Sequence, residues 1–300
     1  MSAAKPHLFM SVDLDSWLHC RWATGGPHAI WPDSLTAYRE IYGQDRPGDD
    51  FHEGCEWVLD AFRRHDVSAT FFILAEVATL FPELVRRIRD EGYEVALHGM
   101  YHVDNTRYSI EEFRSMIRQS RAILEEILGH PVVGYRAANL ILSSAQLEVL
   151  DDEGFLYDSS VCPTGRFLGK YANMAGAPTA PYRPARDDLS RRGDLRIVEL
   201  PHGTFPVVNL PVSTGVMTRV LGAWWAYLGL ARALRRGYGL YYFHPYEVGP
   251  PIAAPRESRY IRLFLRNVGR PYRRSLEWLI PRLLERAEFV QGRRLAEMLR

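Results

Sequence analysis

Cysteine is scarce in this chain of 300 residues: Cys20, Cys55 and Cys162 stand far apart, with no CxxC spacing. An odd, unpatterned set argues against a disulfide framework and fits a reducing compartment. Net charge is nearly absent as well. Lys plus Arg total 37 against 36 Asp plus Glu, a formal +1, so no global field recruits nucleic acid or acidic partners. Long apolar runs are missing. The best membrane candidate, residues 220–231, lies between Arg219 and Arg232 and is too short to span a bilayer as a helix. The opening MSAAKPHLFMSVDLD has no long apolar region and no small-residue cleavage site before its acidic residues. No signal peptide is therefore expected, and the chain reads as soluble and cytoplasmic. There is no internal repeat and no low-complexity linker, which predicts one domain over residues 1–300. What is present is ordinary globular material, 47% hydrophobic and 24% charged, at a length that can bury a large core.

Short apolar runs rich in β-branched and aromatic residues alternate with segments of helical period. Strands are expected at 8–12, 69–74, 93–97, 132–135, 155–157, 196–200 and 239–243, with a short one at 288–290. Helices are expected at 53–65, 82–91, 109–128, 143–153 and 214–236, and again from 272 to the end. Gly92, Gly129 and Gly154 mark helix ends, and Ser109-Ile-Glu-Glu112 is a capping-box pattern. Repeated strand–helix alternation predicts parallel strands in an α/β fold, and seven or eight units predict a distorted (β/α) barrel. Two stretches stand outside the alternation, near 16–50 and 162–194, and read as loop insertions.

The chemistry gathers where strands end. Asp13 and Asp15 follow the first apolar run, His98 and His102 the third, Arg136 the fourth and His244 the last strong one. In a parallel barrel such positions converge on one face. Two imidazoles four residues apart and one carboxylate suit a divalent metal that keeps positions open for water and substrate. Of the two aspartates, one binds metal and the other is left to take a proton from water. Arg136 can keep that base ionised, and His244 can protonate a leaving group. Zinc is the default ion, with cobalt, nickel or manganese suited to the same ligands.

The motif set resembles the polysaccharide deacetylase family, the NodB-homology or carbohydrate esterase family 4 proteins. The residues that carry the resemblance are Ser11-Val-Asp-Leu-Asp15, Ala69-Thr-Phe-Phe72, His98-Gly-Met-Tyr-His102, Gly134-Tyr-Arg-Ala-Ala138 and Tyr241-Tyr-Phe-His244-Pro. The D-x-D start and Asp158-Ser-Ser160 are similar to a subgroup tied to exopolysaccharide and cell-envelope loci. The resemblance implies Asp13 as general base, Asp15, His98 and His102 as metal ligands, Arg136 as the residue orienting the base, and His244 as general acid. It implies hydrolysis of an N-acetyl group on an amino-sugar saccharide, polymeric or lipid-linked, with acetate released from a NodB-type barrel. One departure stands out: the family's arginine is usually followed two residues on by proline, and here Ala138 takes that place.

Three readings of particular segments stay open. Trp17, Trp22, Trp31, Tyr38 and Tyr42 either stack on a sugar ring or pack a lid onto the barrel. His19 and His28 read as loop histidines, not further ligands. The 216–236 helix, with Trp224, Trp225, Tyr227 and following arginines, is either a buried barrel helix or a peripheral contact with the inner face of a membrane. Two other functions compete with the deacetylase: a C–N hydrolase acting on a cyclic or formyl amide, and a barrel that binds saccharide without turning it over.

Overall fold

The computed structural model describes residues 5–26, 28–164, 174–205, 210–253 and 259–299. Part of the anticipated 162–194 insertion, residues 165–173, lies outside the described residues. The apolar runs become β1 (His7–Asp13), β2 (Thr70–Ile73), β3 (Glu94–Leu97), β4 (Gly134–Tyr135), β5 (Tyr157–Asp158), β6 (Val198–Glu199), β7 (Thr204–Phe205), β8 (Leu210–Pro211), β9 (Tyr238–Phe243) and β10 (Glu288–Phe289). Across the sheet the order is β9-β1-β2-β3-β4-β5-β6, all parallel, while β7 and β8 form a separate antiparallel pair. β10 and β2 share one edge of β1 end to end, pairing at His7–Leu8 and at Ser11–Asp13 respectively. The sheet curls into a half-barrel with helices outside, as the alternation predicts.

Among the helices are α1 (Ser34–Tyr42), α2 (Asp49–His65), α3 (Ala75–Leu80), α4 (Pro82–Asp90), α5 (Ile110–Leu128), α6 (Ser144–Asp152), α7 (Gly215–Leu221), α8 (Ala223–Leu234), α9 (Pro245–Val248), α10 (Arg259–Phe264), α11 (Arg270–Leu284) and α12 (Gly292–Glu297). Their ends follow local chemistry. Ser109 accepts from the Glu112 N–H while Glu112 reaches back to the Ser109 N–H, and α5 stops where Gly129 turns left-handed at φ +71°. The single helix expected over 214–236 is instead two. Gly222, at φ +94° and ψ 160°, breaks it between α7 and α8 in a conformation that side-chain-bearing residues avoid. Helical periodicity alone carries across such a glycine, which is why the sequence pattern misses the break.

Strand alternation decides which residues reach the barrel interior, because successive side chains point to opposite faces. On β1, Leu8, Met10 and Val12 pack outward with the helices, whereas Phe9 points inward with Phe72, Ala96, Leu240 and Tyr242. Continuing that period by two puts Ser11 and Asp13 on the inner face. The same count places His98 after Ala96, Arg136 after Gly134, and His244 after Tyr242. Four strand ends thus deliver four polar groups to one mouth of the barrel.

A candidate metal centre with a base and an acid

Asp15, His98 and His102 each offer one ligand atom within 4.8 Å of the others, and all three residues are buried. The His98 Nδ1 lies 2.8 Å from the Arg136 carbonyl oxygen, which can only accept, so Nδ1 carries the proton and Nε2 presents its lone pair. Asp15 Oδ1, His98 Nε2 and His102 Nδ1 are buried with no hydrogen-bond partner. Buried polar atoms are rarely left this way, and a cation beside these residues would take the unpaired His98 Nε2. The Asp15 Oδ2 stands 3.1 Å from His102 Nε2 and 3.8 Å from His98 Nε2, on either side of the roughly 3.4 Å that separates ligands of a tetrahedral ion with bonds of about 2.1 Å. The residues present fit a divalent metal. Burial works against the Asp15 charge, but His102 and His98 overcome it and hold the carboxyl far below its usual range.

Asp13, two residues before Asp15, also faces His98 but is held by a different group, Arg136. Its Oδ1 accepts from an Arg136 terminal N–H at 2.5 Å, and its Oδ2 lies 4.0 Å from both His98 Nε2 and His244 Nε2. Arg136 is fully buried and held on every side. Its Nε–H donates to the Ser159 carbonyl at 3.1 Å, its other terminal nitrogen to the Ser159 hydroxyl at 3.0 Å, and its guanidinium lies 3.9 Å from the centre of the Phe72 ring. The Ala137 N–H donates to Ser160 Oγ, which in turn donates to Asp158. Where the family's proline is replaced by Ala138, the serines after β5 hold the preceding Arg136 and Ala137 by hydrogen bonds.

His244 faces the site from the end of β9. Its Nδ1 lies 2.8 Å from Glu247 Oε1, and its Nε2 turns towards Asp13. Burial disfavours the imidazolium, but the Glu247 hydrogen bond and charge outweigh it and raise the His244 pKa above the ordinary value. Glu247 is itself buried against Arg219 at 2.6 Å, and the two are fully buried together. Although burial opposes its charge, Arg219 and His244 hold it below the usual carboxylate range. Gly215 makes room for this pair, because a Cβ there would meet the Glu247 carboxylate at 2.5 Å. Removing one partner strands the other charge, so Arg219→Met is expected to destabilise the protein by about 3–5 kcal/mol. A urea midpoint close to that of the wild type would show that the pair contributes little.

The six residues singled out in the sequence are brought together, while their supports were not all foreseen. Glu247 and Arg219 were missed. The signal for Glu247 was its place three residues after His244, behind Pro245, where one turn of α9 returns its side chain to the histidine. Ser159 and Ser160, part of the Asp158-Ser-Ser160 motif, hold Arg136 and Ala137. The loop aromatics settle on packing: Trp17, Trp22, Trp31 and Tyr38 are buried in a cluster of their own with Tyr246 and Ile261. His19 is buried in that loop, its Nδ1 accepting from the Ser16 N–H and its Nε2 2.5 Å from the Tyr38 hydroxyl, so both nitrogens are engaged beside the candidate ligands. His28 is exposed.

Residues 45–157 match the family model described as polysaccharide deacetylase. That span holds His98, His102 and Arg136; Asp13, Asp15 and His244 fall outside it. A peptidoglycan-N-acetylglucosamine deacetylase of Bacillus cereus is 36% identical over 118 residues, 39% of this chain and 42% of that protein. The chain spans less than half the length of the first curated relatives it matches. Among solved structures, a polysaccharide deacetylase from Mycobacterium smegmatis superposes with a TM-score of 0.64 at 21% identity, covering 99% of this chain and 91% of the other. Puue allantoinase superposes at 0.63 with 16% identity, covering 97% and 89%. Both likenesses establish the barrel.

Proposed function

We propose that this chain is a polysaccharide deacetylase, a metal-dependent hydrolase that removes the N-acetyl group from an amino sugar, leaving the free amine and acetate. The observation that carries this reading is the Asp13 carboxylate, held by Arg136 and facing His244, beside the buried Asp15, His98 and His102, whose ligand atoms lie within 4.8 Å of one another. A divalent ion on those three ligands supplies Lewis-acid polarisation of the amide carbonyl. Zinc suits two imidazoles and one carboxylate best, and cobalt, nickel or manganese would suit the same set.

The protein's own groups do the proton work. Asp13 accepts a proton from the attacking water, and the hydrogen bond from Arg136 keeps its carboxylate aimed. As the C–N bond breaks, His244 gives its proton to the departing amine nitrogen. The raised His244 pKa keeps that proton available at and above the ordinary imidazole value of about 6.5. Activity is thus lost as pH rises through the His244 pKa. Glu247→Gln removes the charge that raises it, so the alkaline limb of kcat should move to lower pH in that variant. An alkaline limb in the same place for both proteins would detach His244 from the proton delivery.

The substrate is proposed to be an amino-sugar saccharide attached to lipid, met at a membrane surface. In support, Trp224 is 62% and Leu228 55% exposed on α8, with Arg232, Arg235 and Arg236 following. No described helix is long and apolar enough to cross a membrane. The test is acetate release from N-acetylated sugars by zinc-loaded protein, with cyclic amides as comparators. Acetate from the sugars supports the reading, and turnover of the cyclic amides alone would overturn it.

A further inference from the structure

The cavity that opens onto Asp13, Asp15, His98 and His102 has a volume of about 340 Å³, and one wall of it is aliphatic and aromatic. α7 contributes Val216, Met217, Val220 and Leu221, and α10 contributes Leu263 and Phe264. An N-acetylated sugar offers such a wall only the faces of its ring and one methyl group. We propose that the wall is a subsite for a hydrocarbon chain carried on the sugar of the substrate, the aglycone of a lipid-linked amino sugar. This rests on the N-deacetylase reading and assigns a place to the lipid which that reading invokes.

The geometry says which half of the substrate the wall serves. Arg219 of α7 grips Glu247, and Glu247 holds His244. The same Arg219 donates to the Phe264 and Arg266 carbonyls at 2.7 and 2.6 Å, which ties α10 to α7. Both helices are therefore built onto the acid side of the site. His244 serves the departing amine, which belongs to the sugar, whereas Asp13 and Arg136 serve the water that attacks the acyl carbon. A chain lying along α7 and α10 accordingly leaves from the sugar. Part of the wall also reaches the surface: Leu221 is 46% and Leu263 47% exposed, and Trp224 and Leu228, which follow Leu221 along the chain on α8, are exposed as well. The remainder of a long chain would pass over that rim into a bilayer, where exposed apolar side chains are favourable rather than costly.

Titration calorimetry of zinc-loaded protein with methyl, butyl, octyl and dodecyl glycosides of N-acetylglucosamine tests this, each below its micelle concentration and with acetate measured in parallel. Affinity is expected to rise two- to fourfold per methylene, up to about the transfer value for a buried CH2, and to level off once the cavity is full. Val220→Asn and Leu263→Asn, both at partly exposed positions that tolerate a polar group, should flatten the rise. An affinity independent of chain length, including no measurable binding of the dodecyl glycoside, overturns the subsite. So does a rise unchanged in both variants, or one that appears only when the N-acyl group is lengthened instead. A chain-length rise that the variants flatten, without acetate release, leaves the subsite standing and removes the deacetylase reading. Acetate release with no chain-length dependence does the reverse.

Discussion

Asparagine at position 13 is expected to lower kcat by about 10²- to 10⁴-fold, the range a positioned general base contributes, while the metal content of the protein stays as it is. The amide keeps the shape of the carboxylate but cannot take the proton from water. Metal retention is expected because the proposed ligands are Asp15, His98 and His102, while Asp13 Oδ1 is taken up by Arg136. There is a second cost. Arg136 is fully buried, and Asp13 is its one carboxylate partner among the ion pairs of the described residues. Neutralising it leaves an uncompensated guanidinium, so the unfolding free energy should fall by up to about 3–5 kcal/mol. The two effects separate cleanly when kcat and metal per chain are measured well below the melting temperature. Loss of metal in Asp13→Asn would move Asp13 into the ligand set, and a kcat within tenfold of the wild type would remove it as the base.

The double replacement His98→Ala with His102→Ala is expected to take the metal from about one ion per chain to none. Acetate release should fall by about 10³-fold or more, since a Lewis acid at this position is worth several kcal/mol and each 1.36 kcal/mol is a factor of ten. Thermal stability gives an independent reading. A ligand that binds only the folded state stabilises it by about 4 kcal/mol when present at a thousand times its Kd. Added zinc should therefore raise the melting temperature of the wild type and leave the double variant unmoved. A variant that still takes up one ion, or is still stabilised by zinc, would place the ligands elsewhere.

Much of this molecule can be read along the chain, for a definite reason. A buried parallel strand must be a short apolar run, and a covering helix must show an apolar stripe. The order of β1 to β6, α2, α4, α5 and α6 follows from those patterns with boundaries displaced by a few residues. Elements whose signal is weak escaped. α3 is six residues long without a side-chain cap, β7 and β8 have two residues each, and the α7–α8 break depends on the backbone of one glycine. Nothing in their composition separates them from a loop or a continuous helix.

By itself the sequence determined that Asp13, Asp15, His98, Arg136 and His244 stand behind apolar runs, and therefore at strand ends. The period of two then put Asp13, His98, Arg136 and His244 inside the barrel. What tertiary structure alone decided is what each of these groups rests against. Arg136 is fixed by Ser159, which lies 23 residues further along the chain, and Glu247 is charged because Arg219 arrives from 28 residues before it. Whether the loop aromatics meet sugar or one another was also settled only by packing. Strand-end position is a local property of hydrophobic pattern, which a chain carries in one dimension. Partner, burial and pKa are properties of the neighbours that a curled sheet brings across its mouth, and no local pattern encodes those distances.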